Sequence, residues 1–356
     1  MKLLHSADWH LDSPLQGFTP AQQQALRQAQ LRLPGQIAAL CRKENCQMLL
    51  LAGDLFDGAY TKESYQAVYQ ALEEVGVPVF ISPGNHDYIS AQSPWVREQW
   101  PENVTVFKEP ALVKVDLPQL GCRIYGAGYT AMDTPALLEG FQADVADGYA
   151  IGVLHADPTQ ANSPYCPVTK QQIEDSGLDY LALGHIHKQG ALQAGKTLCA
   201  WPGCPMGRGY DETGVKGALV VTLEQTVTQQ FVPLEAPRFH DLEIQAGEDA
   251  RLSVGSVLPA VGNEDFYRIT LTGSSAPLDM EALAAGFSEF QNLTLRDRTV
   301  PQVDPWICVG EDSFEGTYFS LLQKQLETAD AQQQRLIELA ARISRQVLDG
   351  QEVKLP

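Results

Sequence analysis

Long apolar runs are missing from this chain of 356 residues. No stretch approaches the roughly 18 consecutive apolar residues that a membrane-spanning helix requires, so the sequence predicts no membrane span. The N-terminal stretch MKLLHSADWH contains an apolar patch that is too short, and too soon interrupted by charge, to act as a secretory signal. These two absences favour a cytoplasmic protein that does not engage a membrane.

Cysteine pairs of the CxxC type are also missing. The chain has seven cysteines, an odd number, and they are scattered at positions 41, 46, 122, 166, 199, 204 and 308. Such a set fits reduced, mostly buried thiols better than a disulfide framework. We therefore expect a reducing compartment.

Positive charge is scarce, since 25 Lys and Arg residues stand against 44 Asp and Glu residues, for a net charge of -19. Proteins that hold nucleic acid through their own surface usually present a basic face. The composition alone therefore argues against a stand-alone DNA-binding protein. Bound divalent cations or a basic partner can reverse the local sign of the field, which leaves DNA binding open.

The sequence from residue 1 to about 235 alternates short apolar runs with polar stretches whose apolar spacing is close to 3.6. This alternation predicts an α/β domain built in layers. The strand candidates are KLLHSAD, QMLLLAGD, VPVFISPGN, RIYGAGY, YAIGVLHAD, LDYLALGHIH and ALVVTLE. Pro233 and Pro237 mark the expected end of this domain.

Five of the seven histidines follow or end a predicted strand, beside acids or glycines: His10, His86, His155, His185 and His187. Loops after the carboxyl ends of strands build the ligand site of layered α/β sheets, so we expect these tips to converge. In an extended backbone, residues i and i+2 point the same way, as in Asp8 with His10. Histidine, carboxylate and amide oxygen are ligands that manganese, iron and zinc share.

The remaining sequence predicts two further segments. Residues 236–310 contain the strand-like runs HDLEIQAG and DFYRITLTG and a helical DMEALAAGFSEF, which indicate a small α+β domain with a binding or capping role, or a stabilising appendage. Residues 311–356 are predicted to be a helical tail. Its apolar positions step by four and three from Leu322 to Val347, interrupted by Gln333, as in a helix that packs on its own domain or on a partner.

Five blocks of the chain together resemble the signature of the calcineurin-like metallophosphoesterases: DWH at 8–10, GDLFD at 53–57, GNHD at 84–87, LHAD at 154–157 and GHIH at 184–187. The resemblance implies a layered β-sandwich flanked by helices that holds two divalent metal ions, most readily manganese, with iron or zinc as alternatives. It also implies the site residues. Asp8, His10 and His187 would hold one ion, Asn85, His155 and His185 the other, and Asp54 would bridge them, while His86 would be catalytic with Asp87 orienting it.

The order of segments further resembles the SbcD-type DNA repair exonucleases, and ADWHLDSPL is most similar to their YhaO-like subgroup. This resemblance implies a manganese-dependent DNA nuclease, often a homodimer, that works with an SMC-like coiled-coil ATPase bound by the C-terminal helices. Two alternatives remain: a phosphodiesterase or phosphatase acting on nucleotides or other small phosphoesters, and a non-catalytic scaffold. Other polar residues are assigned by position alone: His5 and His240 to structure, Asp12 and Asp57 to the support of the site or to the surface, Lys188 and Arg208 to phosphate contacts or to solvent.

Overall fold

The computed structural model describes residues 1–301, 304–350 and 353. The chain divides into two compact units, Met1–Phe239 and His240–Pro356. The sequence predicted three segments, and the second and third of them lie together in the second unit. The catalytic, capping and partner-binding roles assigned to those segments stay predictions.

The first unit contains twelve strands and four α-helices among its described residues. The strands are β1 (Lys2–Ser6), β2 (Leu49–Leu51), β3 (Val79–Ile81), β4 (Val104–Val106), β5 (Val113–Leu117), β6 (Cys122–Gly126), β7 (Tyr149–His155), β8 (Tyr180–Gly184), β9 (Gly190–Ala194), β10 (Thr197–Trp201), β11 (Gly217–Leu223) and β12 (Val227–Pro233). The helices are α1 (Pro20–Lys43), α2 (Lys62–Glu74), α3 (Pro94–Arg97) and α4 (Lys170–Asp175), and Pro118–Leu120 form a 3-10 turn. Thr19 and Thr61 begin α1 and α2 with reciprocal capping boxes, which satisfy backbone N–H groups that a helix start leaves unpaired.

The strands form two six-stranded sheets. The first has the order β12-β11-β1-β2-β3-β4, in which β1 to β4 run parallel and β11 pairs antiparallel with β1 and β12. The second has the order β5-β6-β7-β8-β10-β9, in which only the two edge strands pair antiparallel. The predicted class, a layered α/β sandwich flanked by helices, is confirmed.

Burial on both faces explains why the central strands read as continuous apolar runs. Leu3, Leu50 and Phe80 pack in one buried cluster with Ile151 and other inner residues of the second sheet. The alternate residues of the same strands, such as Leu49, pack in a separate cluster with residues of α1 and α2. Each fully buried side chain of this kind contributes about 1.5–3 kcal/mol to folding, so the strands and their ends are held in fixed positions.

The second unit begins with a three-stranded sheet of order β13-β14-β16, covered on one face by two short helices. Its elements are β13 (Phe239–Gln245), α5 (Ala250–Val257), β14 (Phe266–Thr272), β15 (Ser274–Ser275), α6 (Met280–Ala285), β16 (Leu293–Asp297) and β17 (Val300–Pro301). Helix α5 is absent from the sequence prediction. The run ARLSVGSV is too short for clear periodicity, and its N-cap Asp249 is the main local signal.

The helical tail consists of two helices, α7 (Phe314–Thr328) and α8 (Ala331–Leu348), which pack together around Phe319 and Ala341. The predicted seam does not run along one helix, because Ala329 ends α7 with extended backbone and Asp330 caps α8. Two of the seam residues in α8, Leu336 and Val347, are mostly exposed. No described helix of the chain is both long and apolar enough to cross a membrane.

Candidate metal centre

The polar tips predicted from the sequence converge at one edge of the sandwich. Strands β1, β2 and β3 of the first sheet and β7 and β8 of the second sheet supply them, and within each sheet these strands run parallel. Five of the side chains are buried, with at most 4% exposure: Asp8, His10, Asp54, Asn85 and His155. His185 and His187 are partly exposed, so the centre is open to solvent at these two residues.

The backbone around this centre is left-handed at several non-glycine residues. Asp8, His10, Asp54 and His185 have φ values of 56°, 45°, 52° and 85°. Such conformations are unfavourable for residues with a Cβ atom and often occur where a functional site requires them. The expectation that Asp8 and His10 share a direction because the backbone is extended is therefore wrong, although both residues reach the same site.

Glycines before the functional residues make close packing of the loops possible. Gly53 has a φ of +89°, and a Cβ atom there would lie 2.5 Å from Nδ1 of His155. A Cβ atom on Gly84 would lie 2.3 Å from Oδ1 of Asp54. The predicted role of these glycines, close backbone approach, agrees with both contacts.

One group of donors consists of Asp8, His10 and His187, whose ligand atoms lie within 4.8 Å of one another. The Nε2 atoms of His10 and His187 are 3.1 Å apart, and Nε2 of His187 is 4.0 Å from Oδ1 of Asp8. The Asp8 carboxylate is fixed from behind, because it accepts hydrogen bonds from the backbone N–H of His185 at 2.9 and 3.1 Å. The structure thus brings together the three residues of the first predicted ligand set, whose role as ligands stays a prediction.

A second group of donors surrounds His155. Its Nε2 lies 3.0 Å from Oδ1 of Asn85 and 3.3 Å from Oδ2 of Asp54, while its Nδ1–H donates to the Ala52 carbonyl at 2.8 Å. Asp54 also lies 3.6 Å from Nε2 of His10, so its carboxylate stands between the two groups. His185 packs edge-on against the His155 ring at 5.2 Å, at the rim of the second group.

The charges of the centre fit divalent cations. Burial opposes ionisation of Asp54, but the field of His155 outweighs it and holds the pKa of this carboxyl well below its usual range. Burial and the charge of His155 lower the pKa of His185 to about 4, whereas Asp54, against the effect of burial, raises the pKa of His155 to about 9. The proton on His155 thus supplies positive charge that a bound cation would replace. Two buried carboxylates facing several imidazole nitrogens are costly without compensating positive charge. The residues present thus fit a pair of hard or borderline divalent ions with oxygen and nitrogen ligands.

His187 has a buried support that the sequence prediction missed. Its Nδ1–H donates to Oε1 of Glu212 at 2.6 Å, which fixes the tautomer and directs Nε2 toward the centre. Glu212 also accepts from the backbone N–H of Arg208 and from its guanidinium, both at 2.8 Å. Although burial opposes it, these bonds hold the pKa of Glu212 well below its usual range. The only sequence signal is the pair of opposite charges four residues apart in the loop after β10.

His86 lies at the solvent-exposed opening of the centre, with 42% of its side chain exposed. Its Nδ1 is 2.5 Å from Oδ1 of Asp57. This hydrogen bond raises the pKa of His86 and leaves Nε2 available. Asp57 also lies 3.9 Å from the Arg208 guanidinium. Of the two roles weighed for Asp57, support of the site agrees with these contacts.

The structure disagrees with the prediction that Asp87 orients His86. Its carboxylate is buried and accepts hydrogen bonds from the backbone N–H groups of Gly84 and Leu55, at 2.7 and 2.8 Å. The turn that begins at Gly84 directs Asp87 inward, whereas His86 points outward. Asp87 therefore stabilises the loop, and the carboxylate beside His86 belongs to Asp57.

Other polar residues lie away from the centre. His5 contacts the Tyr180 hydroxyl at 2.8 Å and the Leu183 carbonyl at 3.0 Å inside the sandwich. His240 contacts Asp265 at 3.0 Å in the second unit. Asp12 accepts hydrogen bonds from Thr61 and Ser64 at the start of α2, and Lys188 is exposed. Structural roles for His5 and His240 agree with these positions.

The fold and the donor set define a metal-dependent phosphoesterase class. The chain matches the model of the calcineurin-like phosphoesterase family over residues 1–189 and belongs to that family, whose enzymes are hydrolases with a dimetal centre. Because the matched region contains both donor groups, the metal centre lies within the part that defines the family.

Similar proteins include an uncharacterized metallophosphoesterase, YhaO, of Bacillus subtilis, which is 32% identical over 258 residues. The match covers 68% of this chain and 61% of that relative. The SbcD component of the nuclease SbcCD of Bacillus subtilis is 22% identical, over 62% of this chain and 66% of the relative. The chain thus spans a little under two thirds of these relatives. Among solved structures, a dimetal phosphatase from Danio rerio aligns with a TM-score of 0.42 and 12% identity, over 65% of this chain and 95% of that one.

Proposed function

We propose that this protein is a metal-dependent phosphodiesterase that acts on DNA. The observation that carries the proposal is the convergence of the two donor groups and a partly exposed histidine, His86, at one edge of the sandwich. Such a centre suits in-line displacement at phosphorus, in which both the attacking and the leaving oxygen require stabilisation.

The proposed ligands follow the two donor groups. Asp8, His10 and His187 would hold one ion, Asn85, His155 and His185 the other, and Asp54 both. Two divalent ions, most readily manganese with iron or zinc as alternatives, would supply charge neutralisation and a nucleophilic water near neutral pH. Glu212 keeps His187 in the tautomer that presents Nε2, and Arg208 keeps Glu212 ionised.

His86 is the proposed proton donor. Its Nδ1–H is bonded to Asp57, so Nε2 is the atom that can give a proton to the leaving oxygen. As water gives up one proton to solvent and adds to phosphorus, the bond to the leaving oxygen breaks, and the proton from His86 converts that oxygen to a hydroxyl; His86 then regains a proton from solvent. The Asp57 carboxylate stabilises the protonated ring before this transfer, and the exposed face of His86 admits the substrate.

DNA as the substrate is supported by the similarity to the SbcD component of the SbcCD nuclease and by a basic cluster in the second unit. A cavity of about 340 Å³ on the sheet of that unit is lined by Arg268, Arg296 and Arg298 together with Asp241 and Glu243, in a chain whose net charge is -19. Arg268 is paired with Asp241, so Arg296 and Arg298 are the cations proposed to meet phosphate. Guanidinium groups suit phosphate contacts. The same similarity supports the proposal that the protein is an SbcD-type enzyme that acts in DNA repair in the cytoplasm.

The same reasoning suggests partners. An SMC-like coiled-coil ATPase is the proposed partner, with the α7–α8 pair as its contact, because exposed apolar residues such as Leu336 lie there. A homodimer is a further possibility within this proposal. Deletion of residues 311–356 should spare hydrolysis of small diesters and abolish co-purification with the ATPase; unchanged co-purification would contradict the assignment.

A small nucleotide or other phosphoester is the second candidate substrate. The net charge of -19 favours it, because long polyanions are repelled by an acidic surface. Salt separates the two candidates, since DNA held by many phosphate contacts loses affinity steeply with added salt whereas a small diester does not.

The direct experiment is hydrolysis of end-labelled single- and double-stranded DNA by metal-stripped protein refilled with manganese. Asp54→Ala controls for contaminating nucleases, since that carboxylate lies between both donor groups. Metal-dependent cleavage that is absent from the variant supports the proposal. Cleavage of bis-p-nitrophenyl phosphate without cleavage of DNA, alone or with the ATPase present, favours the small substrate, and no turnover of either identifies a scaffold.

A further inference from the structure

A cavity of about 460 Å³ opens directly beside His86. Two segments form it: the loop between β2 and α2, which contributes Tyr60, and the segment from His86 to Arg97 that ends in α3. The volume falls in the range of small-molecule sites, which are typically about 300–1,000 Å³. The cavity is thus large enough for one nucleoside.

The walls of the cavity are held in place from behind. Tyr60 donates its hydroxyl hydrogen to Glu98 at 2.7 Å, which leaves its ring as a fixed surface. Trp95 donates to the Asp87 carbonyl at 2.5 Å and stacks on Trp100 with ring centroids 5.1 Å apart. A rigid site avoids most of the ordering cost of binding.

The chemistry of the walls is aromatic and cationic. Tyr88 is half-buried and lines the cavity. Arg97, the last lining residue along the chain, is an exposed cation. The carboxylate of Asp87, the acid among the lining residues, is turned into backbone hydrogen bonds. An aromatic ring and an arginine in one site are the combination with which proteins hold a nucleobase and an adjoining phosphate.

The position of the cavity beside His86 indicates which part of a substrate it would hold. A proton donor must lie within about 2.6–3.2 Å of the oxygen that it protonates, so the leaving group starts at His86. Because His86 lines the cavity, a leaving group protonated by His86 would extend into it.

We infer that this cavity binds the leaving-group nucleoside of the substrate, with its base against Tyr88 and the next phosphate near Arg97. The inference rests on the proposed function, because it takes His86 as the proton donor. It narrows the substrate class to phosphodiesters that carry a nucleoside on the leaving side.

The base contact is tested by fluorescence titration of the full chain with 2-aminopurine 2′-deoxyriboside, whose emission is quenched on stacking. The titration is done in EDTA, so that it does not depend on turnover. Tyr88→Ala should weaken binding about tenfold or more, the usual effect of removing a stacking residue. The control Tyr69→Ala removes an equally half-buried tyrosine from α2 and should change affinity less than twofold. Lack of saturable binding by the unmodified chain, or equal affinity of Tyr88→Ala, overturns the inference.

The phosphate contact is tested with the 3′- and 5′-monophosphates of the same nucleoside, again in EDTA. Arg97→Gln should remove the gain in affinity that one of the two phosphates confers, and should leave binding of the nucleoside unchanged. Arg335→Gln, on the exposed side of α8, serves as the control. Equal losses for nucleoside and both monophosphates would contradict the role of Arg97.

The two proposals can fail separately. Binding that depends on Tyr88 in a chain that does not cut DNA leaves the nucleoside site in place and removes the DNA proposal. DNA cleavage that is unaffected by Tyr88→Ala supports the DNA proposal and removes the nucleoside site.

Discussion

Replacement of Glu212 by glutamine should weaken the binding of one metal ion and leave the other unchanged. Glu212 is 8% exposed and accepts one hydrogen bond from His187 and three from Arg208. Glutamine keeps the size of the side chain but loses its charge, and its NH2 group takes the place either of Oε2, which accepts only from Arg208, or of Oε1, which accepts from both His187 and Arg208. In the first orientation the bond from His187 loses its charged acceptor, and in the second orientation it is lost, so the tautomer of the His187 ring is held less firmly.

The size of the effect follows from the contacts. Loss of a carboxylate that orients a metal-binding histidine typically costs 10–100-fold in affinity, which is about 1.4–2.7 kcal/mol. The metal-free protein should also lose stability at pH 7, because hydrogen bonds to charged groups contribute about 1.5–3 kcal/mol each. Arg208 retains Asp57 at 3.9 Å, which limits that loss.

The assay is calorimetric titration of manganese into the metal-free chain, with urea unfolding in EDTA as the measure of stability. Asp265→Asn is the matched control, since it removes the charge from the acceptor that lies 3.0 Å from His240 in the second unit. It should lower stability without changing either metal affinity. Two unchanged metal affinities in Glu212→Gln would refute the view that this carboxylate acts through His187.

Three further outcomes are expected. His86→Ala should abolish turnover and keep both ions, whereas Asp54→Ala should lose metal, as measured by elemental analysis; loss of both ions from His86→Ala would show that it is a ligand. Gly84→Ala should lower metal content and stability, because its Cβ atom would lie 2.3 Å from Asp54, and a full complement of metal would contradict that contact. Burial lowers the pKa of His5 to about 3, so the unfolded chain binds a proton that the folded chain excludes. Stability should therefore fall on acidification from about pH 6.5 by up to about 1.4 kcal/mol per pH unit, and His5→Gln should remove this part of the slope in urea unfolding; parallel slopes would disprove it.

The site residues that could be predicted from the sequence are those that directly follow a strand. A polar residue after an apolar run is visible in the sequence, and parallel strands bring such residues to one edge, which places Asp8, Asp54 and His155 together. Glu212 was missed because its contact with His187 depends on the path of the loop after β10. No local pattern encodes that path.

Asp87 shows the limit of reasoning from adjacency. It follows His86 in sequence, yet the turn at Gly84 sends the two side chains in opposite directions, and Asp57 takes the position beside His86. In the tail, the spacing of apolar residues was read across Asp330, whose side chain begins a new helix. The apolar spacing continues past Asp330, but Asp330 caps α8, so one helix ends and another begins there.

The left-handed backbone at Asp8, His10, Asp54 and His185 bears on how this protein can change over evolutionary time. Each such residue costs about 1–2 kcal/mol relative to a relaxed conformation, so the centre lowers the stability of the scaffold that carries it. Metal binding offsets this cost only while the donors are present. A descendant released from catalysis would gain stability by accepting glycine at these positions, and the chemistry would then be difficult to regain. The DWH, GD and GHIH blocks are thus the part of the sequence that records whether the chain is still selected as an enzyme.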